Sequence, residues 1–378
     1  MYKIILSGGG TAGHANPAIA IAEIIKEAYP DTKFLYVGTP NGIEKDIAAS
    51  YGIEYAEMNV AGFQRHLSLN NIKRNFTALK YLAQSGKRCK EILDNFKPDL
   101  VIGTGGYVCG PIVKAASQRG IKTLLHEQNA FPGVTTKLLA PNVNKVMLTV
   151  EKAGQYLKST ENCVVTGLPV KSGFLQGKLS KIEAKKHLGL DPEKLCVLST
   201  GGSLGAGRIN ETVADLLGYY VKNGVEVSHI HSYGRNGRGS FAAQLSQNGV
   251  DLASNPQFIV KEFFTNMPVC MAAADLIISR CGASTLMEIE AVGCGSVLVP
   301  SPIVAENHQY HNGMVLVNAG AAVLYEQKDL TSEILIETVN ELLKNPEKLA
   351  SLSENAKNLY ITDTPQRVLA VIEEVLKS

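Results

Sequence analysis

The stretch Ser7-Gly8-Gly9-Gly10-Thr11-Ala12-Gly13-His14 decides the fold of this chain. It follows the apolar run Ile4-Ile5-Leu6, which is typical of a buried strand. It precedes an apolar segment that predicts a helix from Asn16, with Pro17 in the first turn. A strand, a glycine loop and a helix together direct backbone N–H groups toward an anion. The stretch therefore predicts an anion-binding loop at the start of an α/β domain.

A dinucleotide site is the first alternative for this loop, because Gly8, Gly10 and Gly13 match the GxGxxG pattern. Such a site also needs an acidic residue about 20 positions further on, at the end of the second strand, to hold a ribose. Here the second predicted strand, residues 33–37, runs into Gly38-Thr39-Pro40. The sequence therefore argues against a nicotinamide cofactor.

The second half of the chain repeats this organisation. Residues 196–200 indicate a strand, Gly201-Gly202-Ser203-Leu204-Gly205-Ala206 a glycine loop, and the residues from there to Tyr220 a helix. With 378 residues the chain also exceeds the usual size of one core. We therefore predict two similar doubly wound parallel-sheet domains that face each other across a cleft, with the crossing near Thr166-Gly167-Leu168-Pro169.

The composition indicates an ordinary globular protein, with 19% charged and 45% hydrophobic residues. A net charge of +2 is too small to indicate nucleic acid as a partner, and we expect none. Seven cysteines without CxxC spacing predict reduced thiols in a cytoplasmic setting. The first residues pass directly into a strand, which predicts no signal peptide, and no apolar run approaches the roughly 18 residues of a membrane span.

Residues 63–97 form a basic and apolar stretch whose meaning the pattern leaves open. Eight lysines and arginines stand there against two acidic residues, and apolar residues such as Phe63, Leu79 and Leu82 are interleaved with them. An apolar surface rimmed with cations is typical of a peripheral membrane protein held by anionic head groups. A core-facing helix with a solvated basic face fits the same pattern.

Four polar residues, His126-Glu127-Gln128-Asn129, directly follow the predicted strand at 122–125. Ligands of open α/β sheets bind at the carboxyl ends of the strands, so we expect these side chains in a site. His14 and Glu127 are the candidates for a general base. The rival role for His14 is to bind a phosphate of the donor or to hold its own loop.

The stretch Ser279 to Glu288 carries the corresponding prediction in the second half. Its small residues, at the start of a predicted helix, leave N–H groups open to a phosphate. Glu288 lies about one turn into that helix, within reach of a sugar hydroxyl beside the same phosphate. The alternative for Glu288 is a charge that the helix dipole favours.

Glycine loops from two domains suit a ligand with a diphosphate linkage. The chain has neither GxxxxGK[ST] nor Asp-x-Asp, and His308 and His311 lack a third metal ligand in suitable register. A departing nucleoside diphosphate would then be stabilised by helix N-termini, backbone N–H groups and a cation such as Lys171. The sequence therefore predicts glycosyl transfer from a nucleotide sugar without a metal or other cofactor.

The motifs resemble those of one family, the peptidoglycan N-acetylglucosaminyltransferases called MurG. The resemblance covers essentially the whole chain and rests on six motifs in order. They are Gly9-Gly10-Thr11-Ala12-Gly13-His14, Gly105-Gly106-Tyr107-Val108-Cys109-Gly110-Pro111, His126-Glu127-Gln128-Asn129, Gly201-Gly202-Ser203-Leu204-Gly205-Ala206, Ser284-Thr285-Leu286-Met287-Glu288-Ile289 and His308-Gln309-Tyr310-His311-Asn312.

The resemblance implies a GT-B fold of two Rossmann-like domains. Residues 1–167, completed by a C-terminal helix at 363–378, would bind the acceptor and the anionic membrane surface, and residues 168–362 would bind UDP-GlcNAc. It implies an inverting transfer of GlcNAc from UDP-GlcNAc to the 4-hydroxyl of undecaprenyl-pyrophosphoryl-MurNAc-pentapeptide (lipid I), which gives lipid II for peptidoglycan. The enzyme would be peripheral, on the cytoplasmic side of the cell membrane, with residues 63–97 associated with lipid.

The resemblance also implies roles for single residues. The donor contacts would be Thr11, Ala12, Gly13, Asn129, Lys171, Ser203, Phe264 over the uracil, Ala283, Ser284 and Thr285 at the phosphates, Glu288 at the ribose and Gln309 at the GlcNAc. The acceptor contacts would be Gly10, His14, Gly105, Gly106 and Tyr107. Lys171 replaces a common arginine and lacks its guanidinium fork, and Thr136 replaces a common asparagine.

Two other functions stay open. A UDP-GlcNAc 2-epimerase would share the architecture and the donor but would need no lipid, so residues 63–97 argue against it. A non-catalytic nucleotide-sugar-binding protein would bind UDP-GlcNAc without needing His14 or Glu127. Incubation with labelled UDP-GlcNAc, with and without a lipid-pyrophosphate acceptor, separates these functions from the transferase.

Overall fold

The computed structural model of the chain describes residues 1–60, 85–170 and 179–378. Two compact units divide it: Met1–Gly173 together with Ile361–Ser378 form the first unit, and Phe174–Tyr360 form the second. The predicted donor contact Lys171 and most of the basic stretch fall outside the described residues.

A parallel sheet organises the first unit. Its strands within the described residues are β1 Lys3–Ser7, β2 Lys33–Gly38, β3 Glu54–Glu57, β4 Leu100–Gly103, β5 Lys122–Glu127, β6 Lys145–Leu148 and β7 Cys163–Val165, in the order β3-β2-β1-β4-β5-β6-β7. The helices are α1 Ala12–Ala28, α2 Ile43–Ser50, α3 at 85–96, α4 Gly106–Gln118 and α5 Val134–Leu139, with the C-terminal helix α14 Thr364–Lys377 packed on the same unit.

A second parallel sheet organises the other unit. Its strands within the described residues are β8 Cys196–Thr200, β9 Ser228–Ser232, β10 Phe258–Lys261, β11 Leu276–Ser279, β12 Gly295–Leu298 and β13 Ala322–Leu324, in the order β10-β9-β8-β11-β12-β13. The helices are α6 Lys181–His187, α7 Gly207–Asn223, α8 Phe241–Gln247, α9 Met267–Ala273, α10 Ala283–Val292, α11 His308–Asn318, α12 Ser332–Lys344 and α13 Pro346–Leu359.

Each sheet is buried on both faces, which explains why its strands are continuous apolar runs in the sequence. In the first unit one face of the sheet is covered by α1 and by the C-terminal helix, through Val368, Val371 and Ile372. The other face is covered by α3 and α4. The predicted fold class, α/β with two doubly wound parallel sheets, is therefore confirmed.

Helix α1 begins at Ala12, four residues before the predicted start at Asn16. Thr11 has an extended backbone, and its carbonyl oxygen accepts the N–H groups of His14 and Ala15 at 3.2 Å. Proline is preferred in the first turn of a helix because it lacks an N–H group, and this preference placed the predicted start too late. Pro17 instead lies inside the helix.

Helix α3 is the described part of the basic stretch. Ile92 and Leu93 are buried in the first unit, whereas Lys87 and Lys90 are exposed. In this part the apolar residues therefore face the core and the basic residues are exposed, which leaves both interpretations of the stretch open. The apolar residues Phe63, Leu79 and Leu82 lie outside the described residues.

The strand order of both sheets reverses once. In the first unit the reversal lies between β1 and β4, and in the second between β8 and β11. The connections that leave neighbouring strands at such a switch point diverge to opposite faces of the sheet, which opens a crevice at the carboxyl ends. The glycine loops Gly8–Gly10 and Gly201–Gly205 follow β1 and β8 and therefore lie at these two points.

Candidate active site

The first glycine loop packs against the turn that follows β4. A Cβ atom on Gly106 would lie 2.2 Å from the carbonyl oxygen of Gly9, so the residue there must be glycine for the two backbones to approach. Thr104, in the same turn, donates its hydroxyl to the carbonyl oxygen of His14 at 2.6 Å. These contacts hold His14 at the switch point of the first sheet.

The residues predicted to bind the acceptor come together at this point. A Cβ atom on Gly10 would lie 3.1 Å from the ring of Tyr107, and one on Gly105 would lie 2.8 Å from Nδ1 of His14. Tyr107 is 43% exposed, so its ring is accessible from solvent. The N–H groups of Ala12 and Gly13, at the start of α1, precede the first helical hydrogen bonds and can face an anion.

Glu44 supports the first glycine loop through hydrogen bonds, a role that the sequence did not predict. It is fully buried in α2, and its carboxylate accepts the N–H of Gly10 at 3.3 Å. It also accepts the N–H and the hydroxyl of Thr39, at 3.0 and 2.7 Å. An acidic residue in the first turn of a helix is common, so the sequence carried no signal that this carboxylate holds a loop 34 residues away.

Glu127 is engaged in its own loop. Within the described residues its carboxylate accepts the N–H and the side-chain amide of Asn129, the N–H of Gly133 and the hydroxyl of Thr136. These oxygen–donor distances are 2.5–3.1 Å, and the residue is 2% exposed. Glu127 therefore organises the β5–α5 loop, and the geometry disfavours its prediction as a general base.

The loop that Glu127 holds also places two other predicted positions. The side chain of Asn129, a predicted donor contact, donates to Glu127 rather than projecting alone. Thr136 stands where the resemblance led us to expect asparagine, and its hydroxyl bonds to Glu127 at 2.5 Å. The threonine thus keeps a polar contact at this position, within the loop.

The second glycine loop is held by backbone contacts. A Cβ atom on Gly205 would lie 2.1 Å from the carbonyl oxygen of Tyr233, so this loop packs directly on the one that follows β9. The carbonyl oxygens of Ser203 and Leu204 accept the N–H groups of the same neighbouring loop, at 3.2 and 2.8 Å. Ser203 itself is exposed. The predicted donor contact therefore stands at an accessible tip.

Helix α10 begins at the predicted phosphate contacts. Gly282 is its N-cap, and Ala283, Ser284 and Thr285 are its first three residues, so their N–H groups have no preceding helical carbonyl to bind. Glu288 lies in the second turn without a hydrogen-bond partner among the described residues, and burial raises its pKa to about 7. This placement is the one that contacts to a phosphate and a sugar would need.

Arg280 joins the loops around that helix start, and the sequence did not single it out. Its guanidinium donates to the carbonyl oxygens of Val299 and Pro300, at 3.1 and 3.0 Å, and to the side chain of Gln327 at 2.5 Å. In the neighbouring α11 the side-chain carbonyl of Gln309 accepts the N–H of Ser301 at 2.8 Å. A GlcNAc hydroxyl could then be reached through the amide nitrogen of Gln309.

The prediction that Phe264 covers the uracil does not agree with its position. Phe264 is 3% exposed and belongs to a core cluster of the second unit. Its neighbour Phe263 is 56% exposed, in the connection that follows β10. One of these two adjacent rings is buried in the core, and the sequence Phe263-Phe264 does not show which one. The accessible ring is that of Phe263.

The described residues contain no group of three or more histidine, cysteine, aspartate or glutamate side chains placed to hold a metal ion. Nδ1 of His308 lies 2.8 Å from the carbonyl oxygen of Ala305. All seven cysteines of the chain fall in described residues and are free thiols there. Metal independence itself stays a prediction.

Comparison with known proteins identifies the family. Residues 4–148 match the glycosyltransferase family 28 N-terminal domain, and residues 196–368 match the C-terminal domain of the same family. A UDP-N-acetylglucosamine--N-acetylmuramyl-(pentapeptide) pyrophosphoryl-undecaprenol N-acetylglucosamine transferase from Acetivibrio thermocellus is 39% identical, over 100% of this chain and 99% of its own. The chain belongs to this family. It is therefore an N-acetylglucosamine transferase, as the resemblance implied.

Solved structures agree with the assignment. MurG of Acinetobacter baumannii is 26% identical, with a TM-score of 0.79 over 99% of this chain and 100% of its own. A UDP-N-acetylglucosamine 2-epimerase has a TM-score of 0.64 over 97% of this chain and 94% of its own, but only 13% identity. That second likeness shows a shared fold, and the full-length sequence identity favours the MurG family over the epimerase alternative.

Proposed function

We propose that the chain transfers GlcNAc from UDP-GlcNAc to the 4-hydroxyl of undecaprenyl-pyrophosphoryl-MurNAc-pentapeptide, which gives lipid II for peptidoglycan synthesis. The observation that carries the proposal is the 39% identity to a named transferase over the whole chain. The geometry of each unit supports it, because both sheets present a loop and a helix start at the switch point where ligands of this fold class bind.

The second unit supplies the groups that we assign to the donor. The N–H groups of Ala283, Ser284 and Thr285 at the start of α10 would bind the phosphates of UDP-GlcNAc. Glu288, one turn further on, would accept a ribose hydroxyl. The accessible ring of Phe263 replaces that of Phe264 as the group that can stack on the uracil. Ser203 and Gln309 complete the set as predicted donor contacts.

The first unit supplies the base. Nδ1 of His14 is hydrogen-bonded at 3.0 Å, whereas the described residues supply no partner for its Nε2. In the transfer the acceptor 4-hydroxyl oxygen forms a bond to the anomeric carbon, and the bond from that carbon to the β-phosphate oxygen breaks. The hydroxyl proton passes to Nε2 of His14, and the bonding electrons leave with UDP. Attack from the side opposite the phosphate inverts the anomeric centre.

The departing diphosphate gains negative charge, which the enzyme must stabilise. Helix N-termini at Ala12 and Ala283 carry partial positive charge, and we assign them together with Lys171 to this task. The proposal therefore includes transfer without a metal ion. A chelator should leave the initial rate unchanged, and loss of activity that Mg²⁺ restores would contradict this part.

Membrane association is a separate part of the proposal. No helix within residues 1–60, 85–170 and 179–378 is long and apolar enough to cross a bilayer. We assign the enzyme to the cytoplasmic side of the cell membrane as a peripheral protein that binds anionic lipid through residues 63–97, without nucleic acid as a partner. Replacing Phe63, Leu79 and Leu82 by serine should release the enzyme from anionic vesicles, and continued co-sedimentation would place the anchor elsewhere.

The reaction is tested with labelled UDP-GlcNAc in the presence and absence of lipid I. Label in the lipid product, dependent on acceptor, is the expected result. Appearance of ManNAc or UDP-ManNAc without acceptor would instead identify an epimerase. Binding of UDP-GlcNAc without turnover in either mixture would identify a non-catalytic sugar-nucleotide protein. His14→Ala, in the same assay, should lower kcat by about 10²- to 10⁴-fold if His14 is the base.

A further inference from the structure

A row of hydrogen-bonded side chains runs from His14 into the core of the first unit. Nδ1 of His14 lies 3.0 Å from the side-chain carbonyl oxygen Oε1 of Gln128. The amide nitrogen Nε2 of Gln128 lies 3.0 Å from Nδ1 of His126, whose Nε2 lies 3.0 Å from the carbonyl oxygen of Gly167. Gln128 is 4% exposed and His126 is fully buried, so the row is shielded from water beyond His14.

The orientation of the Gln128 amide follows from its surroundings. Its Nε2 also donates to the backbone carbonyl oxygen of His126 at 2.8 Å. A carbonyl oxygen accepts only, so the atom of Gln128 that faces it must be the nitrogen. Rotating the amide by half a turn would place two oxygens against each other in a buried site. The atom that faces His14 is therefore the Gln128 oxygen.

The protons of both histidines are then determined. Since Oε1 of Gln128 only accepts, Nδ1 of the neutral His14 ring must carry the hydrogen, and Nε2 carries the lone pair. At the other end Nδ1 of His126 accepts from Gln128, so its Nε2 donates to Gly167. Burial lowers the pKa of His126 to about 4, which keeps that ring neutral at neutral pH.

The ring of His14 has little freedom to leave this arrangement. A Cβ atom on Gly105 would lie 2.8 Å from its Nδ1, and one on Gly106 would lie 3.2 Å from its Cδ2. The turn that follows β4 therefore lies directly against the ring edge. The far end of the row is anchored as well, because the carbonyl oxygen of Gly167 also accepts the hydroxyl of Thr166 at 3.1 Å.

We propose that Gln128 is a positioning residue that holds His14 as the Nδ1–H tautomer, with Nε2 available to take the proton of the acceptor hydroxyl. The inference rests on the proposed role of His14 as the base. A neutral amide orients the ring and selects its tautomer without adding a negative charge beside it. His126 acts one step further away, by fixing the direction of the Gln128 amide.

Two substitutions at Gln128 test the proposal. Gln128→Ala should lower kcat by about 10- to 100-fold, less than the full contribution of a general base, and leave the KM for UDP-GlcNAc unchanged. Gln128→Glu places a carboxyl group between the Nδ1–H of His14 and the carbonyl oxygen of His126. The carbonyl oxygen disfavours its ionisation, and where it ionises it stabilises the imidazolium of His14, so the pH profile of kcat/KM should change. Gln155→Glu makes the same change at an exposed position of the first unit and should alter neither kcat nor the pH profile of kcat/KM.

The controls separate this inference from the proposed function. Full activity of His14→Ala would show that His14 is not the base. Loss of activity in His14→Ala, with kcat and pH profile unchanged in both Gln128 variants, would overturn only the role of Gln128. A direct measurement needs no variant at Gln128: nitrogen chemical shifts of the His14 ring at pH 8 should show a protonated Nδ1 and an unprotonated Nε2. The opposite pattern would overturn the inference even if the variants fail to fold.

Discussion

The two glycine loops occupy the same place in their sheets and are held in different ways. The loop after β1 is held both by backbone packing against Gly106 and by a side chain from another element, the buried carboxylate of Glu44 at Gly10. The loop after β8 is supported by the backbone of its neighbour, through Gly205 and the carbonyl oxygen of Tyr233. The difference follows the task that we assign to each loop. The first leads into the helix that carries His14, whose orientation matters, and we assign the second to present the accessible Ser203 to a nucleotide.

The largest effect is expected from a substitution that disrupts the backbone packing of the first loop. Gly106 has a φ of +73° and Gly202 a φ of +82°, so alanine is strained at both, by about 1–2 kcal/mol. A methyl group on Gly106 also meets the Gly9 carbonyl oxygen at 2.2 Å, whereas one on Gly202 meets no described atom within 4 Å. Gly106→Ala should abolish transfer and lower the free energy of unfolding by more than Gly202→Ala does. Urea unfolding and kcat check this, and equal losses would contradict it.

The next effect concerns the side-chain support. Glu44→Gln replaces an oxygen by an NH2 group, which cannot accept, so the N–H of Gly10 or of Thr39 loses its buried partner. We expect the free energy of unfolding to fall by about 1–3 kcal/mol, and kcat to fall with the donor KM unchanged. Glu57→Gln is the control, because Glu57 pairs with Lys45 at the surface at 2.7 Å. Unchanged kcat in Glu44→Gln would show that the first loop does not need this carboxylate.

The second unit should also lose stability at low pH, because it buries two neutral histidines. Ser199 bonds His229 and His231 at 2.7 Å, and all three residues are fully buried. Burial lowers the pKa of His229 to about 3 and that of His231 well below its ordinary value. Both rings are therefore neutral in the folded state, while the unfolded chain takes up protons near pH 6.5. Their contribution to stability is complete above that pH and is lost as the pH falls.

Replacing one of these histidines measures the effect. In His231→Phe the free energy of unfolding should depend less on pH between 6 and 5, by about 1.4 kcal/mol per pH unit, because one proton fewer is taken up on unfolding. A phenylalanine keeps the contact of this ring with Phe241, whose centroid lies 4.4 Å away. A pH dependence equal to that of the parent chain would show that His231 is already charged in the folded state.

The smallest expected effect is on the KM for the donor, UDP-GlcNAc. Glu288 and Glu290 are both on α10, and burial raises their pKa values to about 7 and about 8. Above about pH 7 an ionised Glu288 can accept from both ribose hydroxyls. The KM for UDP-GlcNAc should therefore rise as the pH falls below 7, and Glu288→Gln should show a higher KM without this dependence. Glu290→Gln is the matched control, and the same response in both variants would remove Glu288 from the donor site.

Prediction from the sequence was most successful where the signal is local. The alternation of apolar runs with glycine loops identified both sheets, and the strand predicted at residues 196–200 is β8, Cys196–Thr200. The sites at the two switch points followed from the same pattern. Prediction was less successful where two local signals compete, as at Pro17, where a preference for the first turn misplaced the start of α1.

Contacts between distant segments were beyond reach of the sequence. The roles of Glu44 and Arg280 depend on loops that are 34 and 19 or more residues away along the chain. The choice between Phe263 and Phe264 depends on which ring the core accepts. Glu127 was a sound candidate for a base by residue type, and only its hydrogen bonds to the β5–α5 loop show that its oxygens are occupied.

The sequence by itself determined the class of the fold and the family, because buried parallel strands must be apolar throughout and because loops that approach anions or other backbones must be rich in glycine. Tertiary structure alone decided which polar groups remain available. A buried donor or acceptor must find a partner, and that partner is usually supplied by another segment of the chain. The oxygens of Glu127 and Glu44 are therefore occupied by loop donors, whereas Nε2 of His14 has no partner among the residues that the structure describes.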